Sequence, residues 1–169
     1  RAHVTGTLGD IQINARNLHL HDGSSVGGDN TGTQIPRNTM ITLSGQLTLA
    51  GGSFINTGSF GSIASADLII RAPEIFITGK ASDGFNSGLY TSTISSGEGG
   101  RLHLFTDNLQ LTDGGILSSK SFIGDAGEIP SGRGGVISIE GFRSSGPSIT
   151  INGAGSGIFT SAQGTGAAG

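Results

Sequence analysis

The chain is 169 residues long, carries a formal net charge of −3, and has 32 glycines but no cysteine and no tryptophan. Charged residues fill only 12% of it, about half the usual share, and no basic block stands out. A nucleic-acid binder is therefore excluded, because nothing would replace the counterions along a phosphate backbone. So are disulfide frameworks, thiolate chemistry and, with no long apolar run, a membrane span.

So much glycine, serine and threonine can mean disorder, but Ile, Leu, Val and Phe make up about a quarter of the chain, above the roughly 20% below which chains fail to collapse. In chain order, five related units carry these apolar residues. The first is GDIQINARNLHLHDGSSV (Gly9–Val26) and the second MITLSGQLTLAGGSFIN (Met40–Asn56). The third is DLIIRAPEIFITG (Asp67–Gly79), continued after an insertion by GLYTS (Gly88–Ser92); the fourth is RLHLFTDNLQLTDGGILSS (Arg101–Ser119). The fifth joins VISIEG (Val136–Gly141) to SITINGAGSGIFTS (Ser148–Ser161) across a second insertion.

Each unit reads as two short alternating strands, a glycine-rich corner and a third short segment. First-strand pairs are Ile11 and Ile13, Ile41 and Leu43, Leu68 and Ile70, Leu102 and Leu104, Ile137 and Ile139. Second-strand pairs are Leu18 and Leu20, Leu47 and Leu49, Ile75 and Ile77, Leu109 and Leu111, Ile149 and Ile151. In the third segments, GLYTS aligns with GILSS and GIFTS. Period-2 alternation buries one face of each strand, and the corners are too short for crossover helices. The fold class is all-β: a right-handed parallel β-helix of about five coils with loop insertions, roughly 24 Å long at the inter-strand spacing. Asn17 and Asn108 are expected to take left-handed corner conformations, as are the corner glycines, and Asp22 and Asp113 to fill polar corner positions.

GDIQINARNLHLHDGSSV, GGRLHLFTDNLQLTDGGILSS and GIFTSAQGTGAAG together resemble the filamentous-haemagglutinin-like large exoproteins of the two-partner secretion route, especially their Gly/Ser-rich cyanobacterial versions. That resemblance covers the chain from Gly9 onward. It implies a secreted or cell-surface passenger, exported through a dedicated outer-membrane transporter and often adhesive toward a glycan or protein receptor. The family's N-terminal secretion domain and its Asn-rich motifs are not found here. Residues 1–169 therefore read as one internal segment of a longer array, cut at both ends, with QGTGAAG as the connector to a next coil and TGTLGD as the corresponding turn before Ile11.

Candidate chemistry is sparse, and no catalytic, cofactor or metal residue is assigned. His19 and His103 alternate with inward leucines, which places them on the outside of different faces without a second ligand. Polysaccharide-cleaving β-helices cluster carboxylates on one face, whereas Asp29, Asp83, Glu98, Asp125 and Glu128 are scattered among loops. GEGGR and GRGGV lead into strands rather than helices and read as turns, not phosphate cradles. The outward apolar residues are the exception. Ile69 and Phe76 point away from the core in the third unit, and the insertion KASDGFNSG brings Phe85 to cover them, a partner being the alternative cover. The function expected is a stiff adhesive or structural rod; the alternatives are a β-helical lyase or glycosidase and the stalk of a contact-dependent toxin.

Overall fold

A computed structural model describes residues 9–31, 36–60, 63–94, 96–122, 132–163 and 167–168, with Phe122 described by its backbone alone. Asp125, Glu128 and Pro130 of the long insertion, and most of both the proposed terminal connector and the TGTLGD turn, lie outside the described residues.

The described strands wind into five coils of three. The first coil is β1 (Ile11–Ala15), β2 (Leu18–Leu20) and β3 (Ser25–Asn30); the second is β4 (Thr39–Leu43), β5 (Gln46–Ala50) and β6 (Phe54–Ser59). The third is β7 (Leu68–Arg71), β8 (Glu74–Thr78) and β9 (Gly88–Ile94); the fourth is β10 (Leu102–Phe105), β11 (Asn108–Thr112) and β12 (Ile116–Phe122). The fifth is β13 (Ile137–Glu140), β14 (Ser148–Asn152) and β15 (Gly157–Ala162). Equivalent strands pair in parallel, giving three five-stranded sheets with the orders β1-β4-β7-β10-β13, β2-β5-β8-β11-β14 and β3-β6-β9-β12-β15. Parallel neighbours need a long return path, and here the other two sides of each coil supply it. The expected all-β solenoid of about five coils is what the chain forms.

The second sheet keeps the register read from sequence: Leu18, Leu47, Ile75, Leu109 and Ile149 stack in one row, and Leu20, Leu49, Ile77, Leu111 and Ile151 in the next. In the first sheet the second coil sits two residues from its expected place. Ile11 pairs with Thr39 and Ile13 with Ile41, so a buried threonine occupies a position assigned to isoleucine. A slip of two residues preserves the inward face, which is why the apolar pattern could not reveal it.

The third sheet departs by one residue. Gly88 pairs with Ile116, not Gly115, so Leu117 joins Val26, Ile55, Leu89 and Ile158 in the inward row while Ile116 turns outward. Beyond that single apolar row the inward positions of coils two to four are hydroxyls. Thr57, Thr91 and Ser119 stack together, as do Ser59, Thr93 and Ser121, all buried. They face the stretches that lead into the next first strand, and three of them donate to carbonyls there at short range: Thr57 to Ala66 at 2.7 Å, Ser59 to Ile63 at 2.8 Å and Thr91 to Gly100 at 2.9 Å. Gly100 and Gly135, from the two glycine-rich stretches read as turns, lie where a Cβ would fall 2.1 Å from a carbonyl oxygen of the preceding coil. Close stacking of backbones explains these glycines.

One corner position recurs in every coil. Asp22, Gly51, Gly79, Asp113 and Gly153 all have left-handed φ, and Asp22 and Asp113 are the only non-glycine residues to do so among those described. Asp is among the few side chains that tolerate this conformation, so the expected polar corner is confirmed. The role expected of Asn17 and Asn108 is not: neither has positive φ. Asn108 opens β11, and the Asn17 side-chain carbonyl accepts from the Gln46 amide at 3.0 Å, which ties one coil to the next. The polar side chain serves the ladder between coils rather than a left-handed bend. Asp29 also moves, from the expected loop into β3.

Candidate functional site

The three residues singled out in the sequence lie on three different faces. Ile69 is half-buried on the outside of the first sheet, between Met40 and His103; Phe76 is half-buried on the outside of the second, between Thr48 and Gln110. Phe85 projects from the insertion over the third sheet. Its ring lies 5.3 Å from Phe54 and 5.6 Å from Tyr90, the ring partners it has among the described residues. The expectation that Phe85 caps Ile69 and Phe76 is therefore replaced by a different arrangement.

The insertion's backbone accounts for this placement. Lys80 and Asn86 form an antiparallel bridge, and the Gly84 amide donates to the Ala81 carbonyl at 2.9 Å, closing a small turn between β8 and β9. The Asp83 carboxylate accepts from the Phe85 amide at 2.9 Å. Two further bonds hold the turn against the third sheet: the Tyr90 hydroxyl donates to the Asn86 carbonyl at 2.7 Å, and the Asn86 side-chain amide reaches the Gly155 carbonyl at 3.3 Å. Burial pushes the Tyr90 hydroxyl's pKa above the usual phenol range, so the tyrosine stays neutral and keeps this bond.

The outer face of the third sheet thus becomes aromatic. Parallel register places Asn56, Tyr90, Ser118 and Phe159 in one outward row, with Phe54, Gly88, Ile116 and Gly157 in the row beside it. In GLY and GIF, the aromatic side chain two residues after the glycine lies flat over it. A Cβ on Gly88 would meet the Tyr90 ring at 2.9 Å, and one on Gly157 would meet the Phe159 ring at 2.4 Å. Glycine is required at both places because the neighbouring ring occupies the space of a side chain, the pairing by which aromatics compensate glycine in strands. Ile116, although outward, is 8% exposed, and it forms part of the floor between the Tyr90 and Phe159 rings.

Two shallow depressions flank Tyr90. One, of about 390 Å³, is lined by Phe85, Asn86, Tyr90, Ile116, Lys120 and Phe159 with Gly84; the other, of about 240 Å³, by Phe54, Asn56, Phe85, Tyr90, Ser92 and Lys120 with Thr91 and Ser118. Lys120 is the charged residue common to both. Its ammonium lies 5.8 Å from the Phe159 ring centre and forms no ion pair among the described residues.

Elsewhere the charged groups hold structure. Arg37 pairs with Asp10 at 3.2 Å, and His103 with Glu140 at 2.9 Å beside Phe105, over which the Arg71 guanidinium stacks at 3.9 Å. The Asp107 carboxylate accepts from the Phe142, Arg143 and Ser144 amides and from the Ser144 hydroxyl, and these bonds, the Arg143 amide first, hold its pKa below the usual carboxylate range. Among the described residues no three His, Asp or Glu side chains come close enough to hold a metal ion. What the aromatic face offers is non-covalent: flat apolar rings, amide and hydroxyl groups at the rim, and one cation.

Sequence reasoning missed Phe54, Tyr90, Phe159 and Lys120. The signal was alternation itself, since an inward Leu89 makes Tyr90 outward, and the same holds for Ile158 and Phe159. Compared with known proteins, the chain matches no family model, no curated protein and no solved structure.

Proposed function

We propose that the chain is a stiff segment of a secreted or cell-surface bacterial exoprotein, exported by an outer-membrane transporter of the two-partner type, that holds contact surfaces away from the cell. The observation that carries this reading is the continuous three-sided ladder: five coils in register around one aliphatic core, with the side-chain variety confined to the outer faces and insertions. Stacked coils of this kind transmit load along their axis and tolerate changes in their loops, which suits display. Repetition of weak contacts along such a rod multiplies avidity. The scatter of carboxylates along the sequence favours display over polysaccharide cleavage, which gathers acidic side chains around one bond.

The experiment is export and adhesion together. The chain is fused behind a two-partner secretion domain and produced with the matching transporter, and beads coated with the exported product are offered to bacterial and animal cell surfaces. Appearance of folded chain outside the cell and bead retention above that of a charge-matched control are expected. Retention of the fusion in the periplasm, or beads that do not adhere, would contradict the reading.

A further inference from the structure

The aromatic face of the third sheet has the make-up of a binding site for an extended saccharide, and Lys120, the charged residue that lines both of its depressions, says which kind. We infer that Phe54, Phe85, Tyr90 and Phe159 form a stacking platform for successive rings of an anionic polysaccharide, with a ring carboxylate or sulfate held by Lys120. The inference gives a ligand class to the contact surface proposed above. It takes its biological sense from that reading, but it is measured on the chain alone.

Three observations converge on it. First, two of the four rings stand in the open: Phe85 and Phe159 are 46% and 42% exposed and Phe54 and Tyr90 half-buried, although coils two to four bury threonine and serine hydroxyls inside. Folding alone would gain more from the opposite arrangement, since burying apolar surface contributes roughly 25 cal/mol per Å². Second, the depressions on either side of Tyr90 are shallow and share its ring as a dividing wall. Neighbouring coils repeat at about 4.8 Å, comparable with the length of one pyranose ring, so a sugar chain running along the solenoid axis meets a new row of side chains with each residue. The C–H faces of a pyranose suit the electron-rich faces of aromatic rings, and its hydroxyls suit rim groups such as the Ser92 hydroxyl. Third, among the described residues Lys120 has no carboxylate partner, although the chain as a whole is acidic. A cation placed between two aromatic depressions complements an anionic ring substituent and leaves a neutral glucan without a partner for it.

Tyr90 is the chain's only tyrosine, and there is no tryptophan, so intrinsic fluorescence reports from the site itself. The 169-residue chain is titrated at neutral pH with oligogalacturonate, with a heparin-derived oligosaccharide and with a neutral cello-oligosaccharide of matched length. A saturable change in tyrosine emission is expected with one or both anionic probes, and the one that responds identifies carboxylate or sulfate as the partner. Lys120→Gln should weaken that binding about tenfold and flatten its salt dependence, and Phe85→Ala should weaken it by a similar factor. Both positions are at the surface, and an unchanged unfolding midpoint verifies that the variants fold. Silence of the tyrosine signal with all three probes, equal affinity for the neutral probe, or binding indifferent to both substitutions would overturn the inference. Successful export with no saccharide response would sink this inference and leave the rod standing, and the reverse result would do the opposite.

Discussion

The second and third sheets are wound from the same coils, yet they divide inside from outside in opposite ways. The second buries aliphatic pairs, with Leu47, Leu49, Ile75, Ile77, Leu109 and Leu111 at zero exposure, and shows water polar residues such as Thr48 and Gln110. The third buries one aliphatic row and two rows dominated by hydroxyls, and carries on its outside the half-buried Phe54 and Tyr90 and the exposed Phe159. Stability accounts for the second sheet. For the third it accounts for the aliphatic row and for inner hydroxyls such as those of Thr57, Ser59 and Thr91, which donate to carbonyls of the connectors. Tyr90 and Phe159 cover glycines and Tyr90 anchors the turn, but the ring surface that Phe85 and Phe159 leave open is what stability does not require, and it is the surface offered to another molecule.

The contrast can be broken most forcefully in the aliphatic columns. Leu109→Ala, between Ile75 and Ile149, should cost about 2–5 kcal/mol in urea unfolding, through lost burial and a residual cavity. The same change at Ile149, 45% exposed on the last coil, should cost well under half as much. Equal costs would mean that the last coil is as tightly enclosed as the fourth.

At the corner between the two sheets, Gly153→Ala should lower stability by about 1–3 kcal/mol, because φ is +86° there and the new Cβ would lie 2.7 Å from the Asp113 amide nitrogen. A thermal midpoint equal to that of the unmodified chain would show that the corner can relax.

Inside the third sheet, two threonines should respond with opposite signs. Thr91→Val removes a buried hydroxyl that donates to the Gly100 carbonyl and should cost about 1 kcal/mol. Thr93→Val removes a buried hydroxyl without a partner among the described residues and should be neutral or slightly stabilising. Losses of the same size at both positions would contradict the distinction between the paired and the unpaired hydroxyl.

The smallest effect concerns acid. Asp107 has a depressed folded pKa, so its stabilisation is present above the unfolded carboxylate value, about 4, and is lost as pH falls through the folded value. Unfolding midpoints of the parent chain should therefore fall below about pH 4 more steeply than those of Asp107→Asn. Parallel profiles would remove Asp107 from the account of the turn at residues 141–147.

How legible each sheet was follows from the same contrast. Ten aliphatic residues at period 2 made the second sheet readable to the residue. In the first, Thr39 hid a slip of two because it is polar where its column is aliphatic. In the third, hydroxyls carry no hydrophobic period, and the glycine of GILSS was aligned with the glycine of GLYTS; the slip of one left Ile116 on the wrong face. The position of Phe85 could not be read locally, because the turn that aims it at Phe54 is fixed by hydrogen bonds to Tyr90 and to Gly155, a residue two coils further on. Asp22 and Asp113 could be read, because few side chains other than Asp and Asn accept a left-handed corner.

The aromatic outer face depends on the register of the third sheet, and cysteine pairs test that register against a background with no native cysteine. The structure pairs Ser92 with Lys120. The double variant Ser92→Cys with Lys120→Cys should close a disulfide readily under mild oxidation, whereas Ser92→Cys with Ser119→Cys should not, since those side chains leave opposite faces. Cross-linking of 92 to 119 in place of 92 to 120 would return Ile116 to the core and contradict the aromatic face.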